Sequence, residues 1–294
     1  MKRRKIKWMN MLLLLIFIGS MSMFFCLKSQ SKKNRDAYDR AEQLAGQENG
    51  SEGLCEEMSE ETAQAQTTEP ESDSSGKERL WRELPIEDDP YAESLKNKSL
   101  EALRQENEDV IGWIVIPDTM LNYPLMRGED NEYYLNHDWE KNPNVGGAIF
   151  MEQSNDADFS DFNTVIYGHR MKNGSMFGSL KYYSSESFWE AHPYIYILDD
   201  AGVHRYEIFA AYEATLEHST YQIGFSGDAS KQKFLDDCKE DSVIDTGTVP
   251  TIDDRIITLS TCTGNGHSSR WVVQARRKGQ WEIEGEPEKD ERKE

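Results

Sequence analysis

Cysteine and positive charge are both scarce in this sequence. Its 294 residues include only four cysteines, Cys26, Cys55, Cys238 and Cys262, which are far apart and form no CxxC pair. This spacing argues against a disulfide framework and against the common zinc motifs. With 33 Lys and Arg residues against 54 Asp and Glu residues, the chain has a formal charge of −21. An acidic surface repels phosphate backbones, so nucleic-acid binding is not expected.

The composition nevertheless fits a folded protein. Hydrophobic residues make up 37% and aromatic residues 11% of the chain, which argues against disorder throughout. A length of 294 residues is sufficient for one large domain with its own core. The carboxylates are spread along the chain and form no compact calcium-binding loop. We therefore expect neither a metal ion nor a cofactor.

One long uncharged run lies near the N-terminus. Residues 1–7 carry five basic side chains, and residues 8–27 then contain no charge. At ~1.5 Å rise per residue, a helix over this run spans the ~30 Å hydrocarbon layer of a membrane. We interpret residues 1–7 as a cytoplasmic tail and residues 8–27 as a transmembrane anchor. A cleaved signal peptide is the alternative, but the run is long for one and no small-residue cleavage site follows it.

The segment after this anchor has the composition of a linker. Residues 28–76 are rich in Glu, Gln, Ser, Thr and Gly and poor in large apolar side chains, so they bury too little surface to offset the entropy of ordering. We interpret them as a flexible acidic stalk, in which residues 36–46 have the composition of a short helix. A folded domain over 77–278 and a charged tail over 279–294 follow.

The folded domain is predicted to be mostly β. Eight short apolar segments are separated by Gly, Pro, Asn and Asp, the residues that commonly end strands. Such a succession, with few helices between the strands, indicates a closed eight-stranded β-barrel. The predicted strands are Ile111–Ile116, Tyr123–Met126, Ala148–Met151, Thr164–Tyr167, Tyr194–Leu198, His204–Ala211, Ile256–Ser260 and Trp271–Ala275.

Helical patterns lie before these strands and between two of them. A helical turn is predicted over residues 80–84, and Ser99–Asn107 fits a helix with Ser99 as its N-cap. The long gap at residues 217–254 contains the amphipathic segment Asp228–Asp241. Cys238 lies on the apolar face of that segment, so we expect it to be a buried filler and not a reactive thiol.

The last two predicted strands carry a candidate catalytic pair. Cys262 follows the first strand and Arg270 opens the second, so the two residues face each other if these strands are neighbours. At ~3.3 Å per residue, Arg276 would lie ~20 Å further along. A guanidinium beside a thiol favours the nucleophilic thiolate and can donate to an oxyanion that develops in acyl transfer. A structural cysteine beside a surface arginine is the alternative.

A cysteine acyl transferase also needs a proton-transfer partner, which is usually a histidine. His169 follows a predicted strand and His267 lies in the loop after Cys262, and residue spacing alone does not choose between them. His204 lies within a strand and is expected to be structural. The remaining histidines lie in polar turns with no discernible partner in the sequence; these are His137, His192 and His218.

Two short motifs resemble those of one enzyme family. Thr258-Leu-Ser-Thr-Cys262 resembles the TLxTC signature of sortases, and Tyr167-Gly-His169 resembles the segment around the catalytic histidine of class B sortases. Asn131–Asn136 resembles another class B stretch, and so does the helix-bearing insertion before the cysteine strand. The resemblance covers residues 77–278. It implies a sortase-like barrel with N-terminal helices, and it implies that His169 is the catalytic histidine.

The resemblance also implies a mechanism. The Cys262 thiolate would attack the carbonyl of a Thr in a C-terminal sorting motif, Arg270 would stabilise the oxyanion, and His169 would protonate the leaving amine. An amino nucleophile would then resolve the thioester without a cofactor or metal. The substrate groove would be bordered by four further residues: Asn122, Tyr167 and Ser260, with Met126 as an apolar wall.

Partners and location follow from the same resemblance. The substrates would be secreted proteins with a C-terminal sorting signal, and the acceptor would be an amine of a peptidoglycan precursor or cross-bridge in a Gram-positive bacterium. Such substrates occur outside the cell membrane. Because basic residues flank the proposed anchor on both sides, the charge rule alone does not fix its orientation. The expected substrates favour a single-pass type II protein with its catalytic domain outside.

Three other functions are compatible with parts of the sequence. Asp89-Pro90-Tyr91 resembles the lid of pilin-polymerising class C sortases, but the charged residues 279–294 contain no second membrane segment. A papain-like protease would use water instead of an amine, and it would normally place its cysteine on a helix. A non-catalytic wall-binding domain with the same barrel is the third alternative.

Overall fold

The computed structural model describes residues 21, 28–29, 32–46, 85–262 and 268–281. The predicted anchor, apart from Met21, lies outside the described residues, as do the predicted turn at residues 80–84 and most of the predicted stalk and tail. In the part of the chain that is described, no helix combines the length and the apolar character needed to cross a membrane.

Eight strands close into a barrel in the order β1-β2-β3-β4-β7-β8-β6-β5. This confirms the predicted closed barrel, and each predicted strand overlaps an observed one. Strands β6 and β8 are longer than predicted because their pairing extends from Val203↔Trp281 to Thr215↔Ser269, with two register shifts, and backbone pairing does not depend on apolar side chains. The strands are β1 Val110–Val115, β2 Asn122–Met126, β3 Ile149–Met151, β4 Asn163–Tyr167, β5 Tyr194–Asp199, β6 Gly202–Thr215, β7 Ile256–Cys262 and β8 Ser269–Trp281.

Strands β4 and β7 are parallel neighbours although 88 residues separate them along the chain. Parallel neighbours need a crossover connection, and here residues 168–255 form it, including β5, β6 and the helix predicted before the cysteine strand. Both parallel strands end on the same side of the barrel. The residues that follow them, including His169, are therefore brought to one rim.

Five α-helices are described: α1 over 32–45, α2 Pro90–Lys96, α3 Leu100–Glu106, α4 Glu186–Ala191 and α5 Asp228–Glu240. The predicted cap of α3 is confirmed, because the Ser99 side chain accepts a hydrogen bond from the Ala102 backbone N–H. Asp89 caps α2 and Pro90 opens it, so the Asp-Pro-Tyr tripeptide begins a helix.

Helix α5 covers a second, smaller apolar cluster on the outside of the barrel. Phe234, Leu235 and Cys238 are buried there, as predicted from its amphipathic pattern. Burial raises the pKa of the Cys238 thiol to about 12, and the Tyr212 hydroxyl donates a hydrogen bond to its sulfur. Cys238 is therefore held as a neutral thiol, in agreement with its predicted role as a filler.

Helix α1 changes one of the predicted boundaries. Residues 28–76 were expected to form a flexible stalk, yet residues 32–45 form a helix that packs on the barrel, longer than the helix expected over 36–46. Ala37, Ala41 and Ala45 recur at every fourth position and are buried against the domain. The overall polarity of the segment hides this narrow apolar stripe. The other domain boundaries remain predictions.

Candidate active site

Strand register brings three candidate residues to one rim of the barrel. Tyr167 of β4 pairs with Ser260 of β7, and the Gly168 N–H donates to the Ser260 carbonyl at 3.3 Å. His169 and Cys262 each lie two residues further along, at the ends of these adjacent parallel strands. On the other side of β7, Cys262 pairs with Arg270 of β8. The predicted pairing of Cys262 with Arg270 is confirmed.

His169 and Arg270 line the same pocket, which has a volume of about 320 Å³. Tyr167 and Ser260, predicted to border a substrate groove, line it as well. The pocket thus joins a histidine, an arginine and the strand that ends in a cysteine. The remaining lining residues are Asn131, Leu135, Phe150, Gly168, Leu216, Tyr221 and Thr261.

The ring of His169 is oriented by a backbone carbonyl. Its Nε2 lies 2.7 Å from the Leu135 oxygen. Since a carbonyl only accepts hydrogen bonds, Nε2 must carry a proton, and Nδ1 is the ring nitrogen that can take or give one. The preceding Gly168 allows close packing here, because a Cβ at this position would lie 2.5 Å from the Ile149 side chain and 2.8 Å from Phe177.

Glu152 orients two of the residues that line the pocket. Its carboxylate accepts hydrogen bonds from Asn131 Nδ2 at 2.7 Å and from the Tyr167 hydroxyl at 2.9 Å. Burial, reinforced by the Glu152 carboxylate, raises the pKa of Tyr167 well above its usual range, whereas nearby Arg270 opposes the rise. Tyr167 therefore stays a neutral phenol that donates its proton to Glu152.

Tyr221 forms another part of the pocket, at the side of β7. Its hydroxyl lies 3.0 Å from Ser260 Oγ. The backbone on either side of Tyr221 is held by the buried Asn163 amide, which donates to the carbonyls of Thr220 and Gln222 at 3.0 and 2.9 Å. Tyr221, at the end of the short 3-10 helix Ser219–Tyr221, thus has a fixed position.

Two of the predicted groove residues lie elsewhere. Met126 is fully buried in the barrel core, so it does not form a wall of the groove. Asn122 lies beside α1, where its amide accepts from Trp113 Nε1 at 2.6 Å and donates to Glu42 at 3.0 Å. Both residues belong to β2, and no residue of this strand is among those that line the pocket.

The other described histidines all have structural partners. His204 is buried beside Asp199 and Arg277, as expected for a structural residue. The expectation that three others lack partners was wrong, because polar turns supply backbone oxygens and carboxylates. His137 bonds the Tyr133 carbonyl, His192 bonds the Pro117 carbonyl, and His218 pairs with Asp241. His267 lies outside the described residues.

Sequence reasoning missed several residues that line the pocket. Asn131 and Leu135 belong to the Asn131–Asn136 stretch that resembles class B sortases, so a usable signal was present. Tyr221 and Leu216 lie in the irregular part of the long gap before α5, where no periodic pattern indicates a position. Among the described residues, no group of three His, Cys, Asp or Glu side chains is placed to hold a metal ion. The absence of a metal remains a prediction.

Comparison with known proteins settles the family. Residues 114–278, more than half of the chain, match the sequence model of the sortase domain. The chain belongs to the sortase family. It is 38% identical to sortase B of Staphylococcus aureus over 162 residues, which cover 55% of this chain and 66% of that relative. It is also 38% identical to sortase B of Listeria monocytogenes over 179 residues, which cover 60% and 73% of the two chains.

A solved structure supports the same assignment. The structure of a Staphylococcus aureus sortase B–substrate complex matches this fold with a TM-score of 0.58 at 36% identity, over 61% of this chain and 84% of the other. These likenesses place the chain in class B and identify it as a cysteine transpeptidase of the cell-wall sorting type. The resemblance inferred from the sequence motifs is confirmed.

Proposed function

We propose that Cys262, His169 and Arg270 carry out the transpeptidation in this chain. The observation that supports this most strongly is the register of three adjacent strands, which pairs Tyr167 with Ser260 and Cys262 with Arg270. This register brings nucleophile, proton carrier and guanidinium to one rim, although they lie far apart in the sequence. The Cys262 strand end lies between the other two, as an acyl-transfer site requires.

The first half-reaction forms a thioester. Proton transfer from the Cys262 thiol to His169 Nδ1 gives a thiolate beside an imidazolium. The thiolate then attacks the carbonyl carbon of the substrate threonine, and the Arg270 guanidinium stabilises the negative oxygen. Nδ1 returns its proton to the leaving amine as the C–N bond breaks. Nε2 keeps its proton throughout and donates it in a hydrogen bond to the Leu135 carbonyl, which holds the ring in place.

The second half-reaction transfers the acyl group. An amine attacks the thioester carbonyl, again with Arg270 beside the developing oxyanion, and loses a proton to His169 Nδ1. Collapse of the intermediate forms the new amide bond and releases the Cys262 sulfur. The ion pair is thereby restored, so each cycle consumes one peptide bond and forms another without an external energy source.

The substrates and the location belong to the same proposal. The substrates are secreted proteins with a C-terminal sorting signal cleaved after a threonine, and the acceptor is an amine of a peptidoglycan precursor or cross-bridge. The related Staphylococcus aureus structure is a complex with a substrate, which supports peptide binding at the equivalent pocket. The uncharged residues 8–27 support a single-pass membrane anchor with the catalytic domain outside the cell.

A product analysis by mass spectrometry tests this function. The purified chain is incubated with LPxTG-, NPxTN- and PPxTG-like peptides, with and without a glycine-based amine, beside a Cys262→Ala control. We expect an amide between the threonine and the added amine that is absent with the control variant. Hydrolysis that the amine does not affect would favour a protease, joining of protein subunits would favour a pilin-type enzyme, and no reaction with any peptide would favour a wall-binding domain.

A further inference from the structure

Helix α1 reaches the segment that holds the catalytic histidine. The Tyr38 side chain is buried between α1 and the barrel, and its hydroxyl donates a hydrogen bond to the Gly147 carbonyl at 2.7 Å. Burial raises the pKa of Tyr38 well above its usual range, so the phenol remains a donor. The interaction joins residues more than a hundred positions apart, from the start of the chain to the barrel.

Gly147 in turn packs directly against the carbonyl that orients His169. Its backbone has a positive φ of 58°, and a Cβ there would lie only 2.4 Å from the Tyr134 oxygen and 2.9 Å from the Leu135 oxygen. The neighbouring Ala148 N–H donates to the Tyr134 carbonyl at 2.9 Å. Movement of Gly147 therefore displaces the Leu135 carbonyl, which lies 2.7 Å from His169 Nε2.

The ring of Tyr38 supports His169 by a second path. It contacts Tyr123 edge to face, with ring centroids 4.9 Å apart. The Tyr123 hydroxyl accepts a hydrogen bond from the Met176 N–H at 3.0 Å, and the next residue, Phe177, donates its N–H to the His169 carbonyl at 3.0 Å. The hydroxyl of Tyr38 thus supports the carbonyl that binds the His169 imidazole, and its ring supports the segment that binds the His169 backbone carbonyl.

We propose that Tyr38 is a positioning residue for His169, so that helix α1 is part of the support of the active site. The proposal rests on the assignment of His169 as the proton carrier. It gives the membrane-proximal end of the chain a role in catalysis in addition to tethering. A shift of about 1 Å in a reacting group can lower a rate by ~10²-fold, so loss of one such contact is measurable.

Tyr38→Phe tests the hydroxyl path, because it removes the hydrogen bond to Gly147 and keeps the ring against Tyr123. A matched control exists in Tyr183→Phe. The Tyr183 side chain is also buried and its hydroxyl donates to the His192 carbonyl at 2.7 Å, and Tyr183 is not among the residues lining the pocket. Both variants lose one buried hydrogen bond to a backbone carbonyl, so their losses of stability should be similar.

Full-length wild type and both variants are compared for kcat and KM with a sorting peptide, and the ring of His169 is observed by ¹⁵N NMR with His169→Ala to assign its signal. We expect Tyr38→Phe to lower kcat ~10-fold or more with little change in KM. We also expect its His169 signals to depart from the wild-type Nε2–H tautomer, while Tyr183→Phe matches wild type in both measurements.

Equal activity losses in the two variants, or an unchanged His169 signal in Tyr38→Phe, would overturn the positioning role. The NMR measurement needs no substrate, which separates this inference from the proposed function. If wild type forms no amide product, the proposed function fails, and the tautomer of His169 in Tyr38→Phe still decides whether Tyr38 orients the ring.

Discussion

Two histidine–arginine pairs on this barrel consist of the same residue types but lie in different surroundings. His169 and Arg270 line an open pocket beside the strand end of Cys262. His204 is only 1% exposed, with Asp199 Oδ1 2.7 Å from its Nε2 and Arg277 against its Nδ1. Both nitrogens of His204 are therefore occupied. Among the described residues, His169 Nδ1 has no hydrogen-bond partner.

The difference shows what distinguishes the proposed proton carrier from a structural histidine. Both rings have one nitrogen fixed by an oxygen, so fixation alone does not create a proton carrier. His169 differs because it lines an open pocket beside the strand that ends at Cys262, whereas a guanidinium occupies the Nδ1 atom of His204. Accessibility and the neighbouring groups, more than residue type, separate the two roles.

The largest contrast is expected when each histidine is replaced by alanine. His169→Ala removes the proton carrier and should lower kcat/KM by ~10²- to 10⁴-fold with little change in melting temperature. His204→Ala removes the side-chain partner of the buried Asp199, whose Oδ1 keeps the Ala201 N–H, and should cost about 1–3 kcal/mol of stability, with kcat/KM retained below the melting transition. Peptide-transfer kinetics and thermal unfolding of both variants measure this. If His169→Ala retained a kcat/KM close to that of wild type, His169 would have no part in the mechanism.

Arginine replacement by lysine sharpens the same contrast along β8. Arg270→Lys keeps the charge but loses the planar guanidinium, and it should lower kcat ~10²- to 10³-fold. Arg276→Lys is the matched control. Arg276 also belongs to β8, but it forms an ion pair with Glu207 of β6 at 2.9 Å and does not line the pocket. We expect the control to retain wild-type kcat in the transfer assay. Full activity in Arg270→Lys would show that a point charge is sufficient at this position.

The smallest effect is expected at the arginine of the structural pair. Arg277→Lys weakens the contacts to His204 and Gln280, so chemical denaturation should show a loss of about 0.5–1.5 kcal/mol. The kinetics of amide formation should stay unchanged. A fall in kcat without a matching loss of stability would mean that the two pairs are coupled through β8, and the comparison above would need revision.

The sequence predicted the parts of this fold that depend on local pattern. Short apolar segments bounded by turn residues located all eight strands, and the short loop between Cys262 and Arg270 predicted their pairing if the two strands are neighbours, which they are. Residue patterns could not choose between His169 and His267, because that choice depends on β4 lying beside β7, a contact across 88 residues. The family resemblance supplied what the local pattern lacked.

The errors have a common physical cause. Asn122 and Met126 were expected at the groove from the family resemblance alone, whereas the position of β2 around the barrel follows from pairings that no local pattern encodes. Helix α1 was assigned to the stalk because its buried apolar side chains are few and mostly small, namely Ala37, Tyr38, Ala41 and Ala45. Tyr221 escaped notice because the single 3-10 turn that carries it shows no repeating pattern and is held by the distant Asn163.

The circular strand order also constrains how a sorting peptide is recognised. Every described strand already has a neighbour on both sides, so the barrel offers no edge strand that an extended peptide could join along its whole length. Its sequence must be read by side chains around the rim, many of which lie in connecting segments. Exchange of those segments can therefore redirect the enzyme to a new sorting signal while the three strands that carry the chemistry stay untouched.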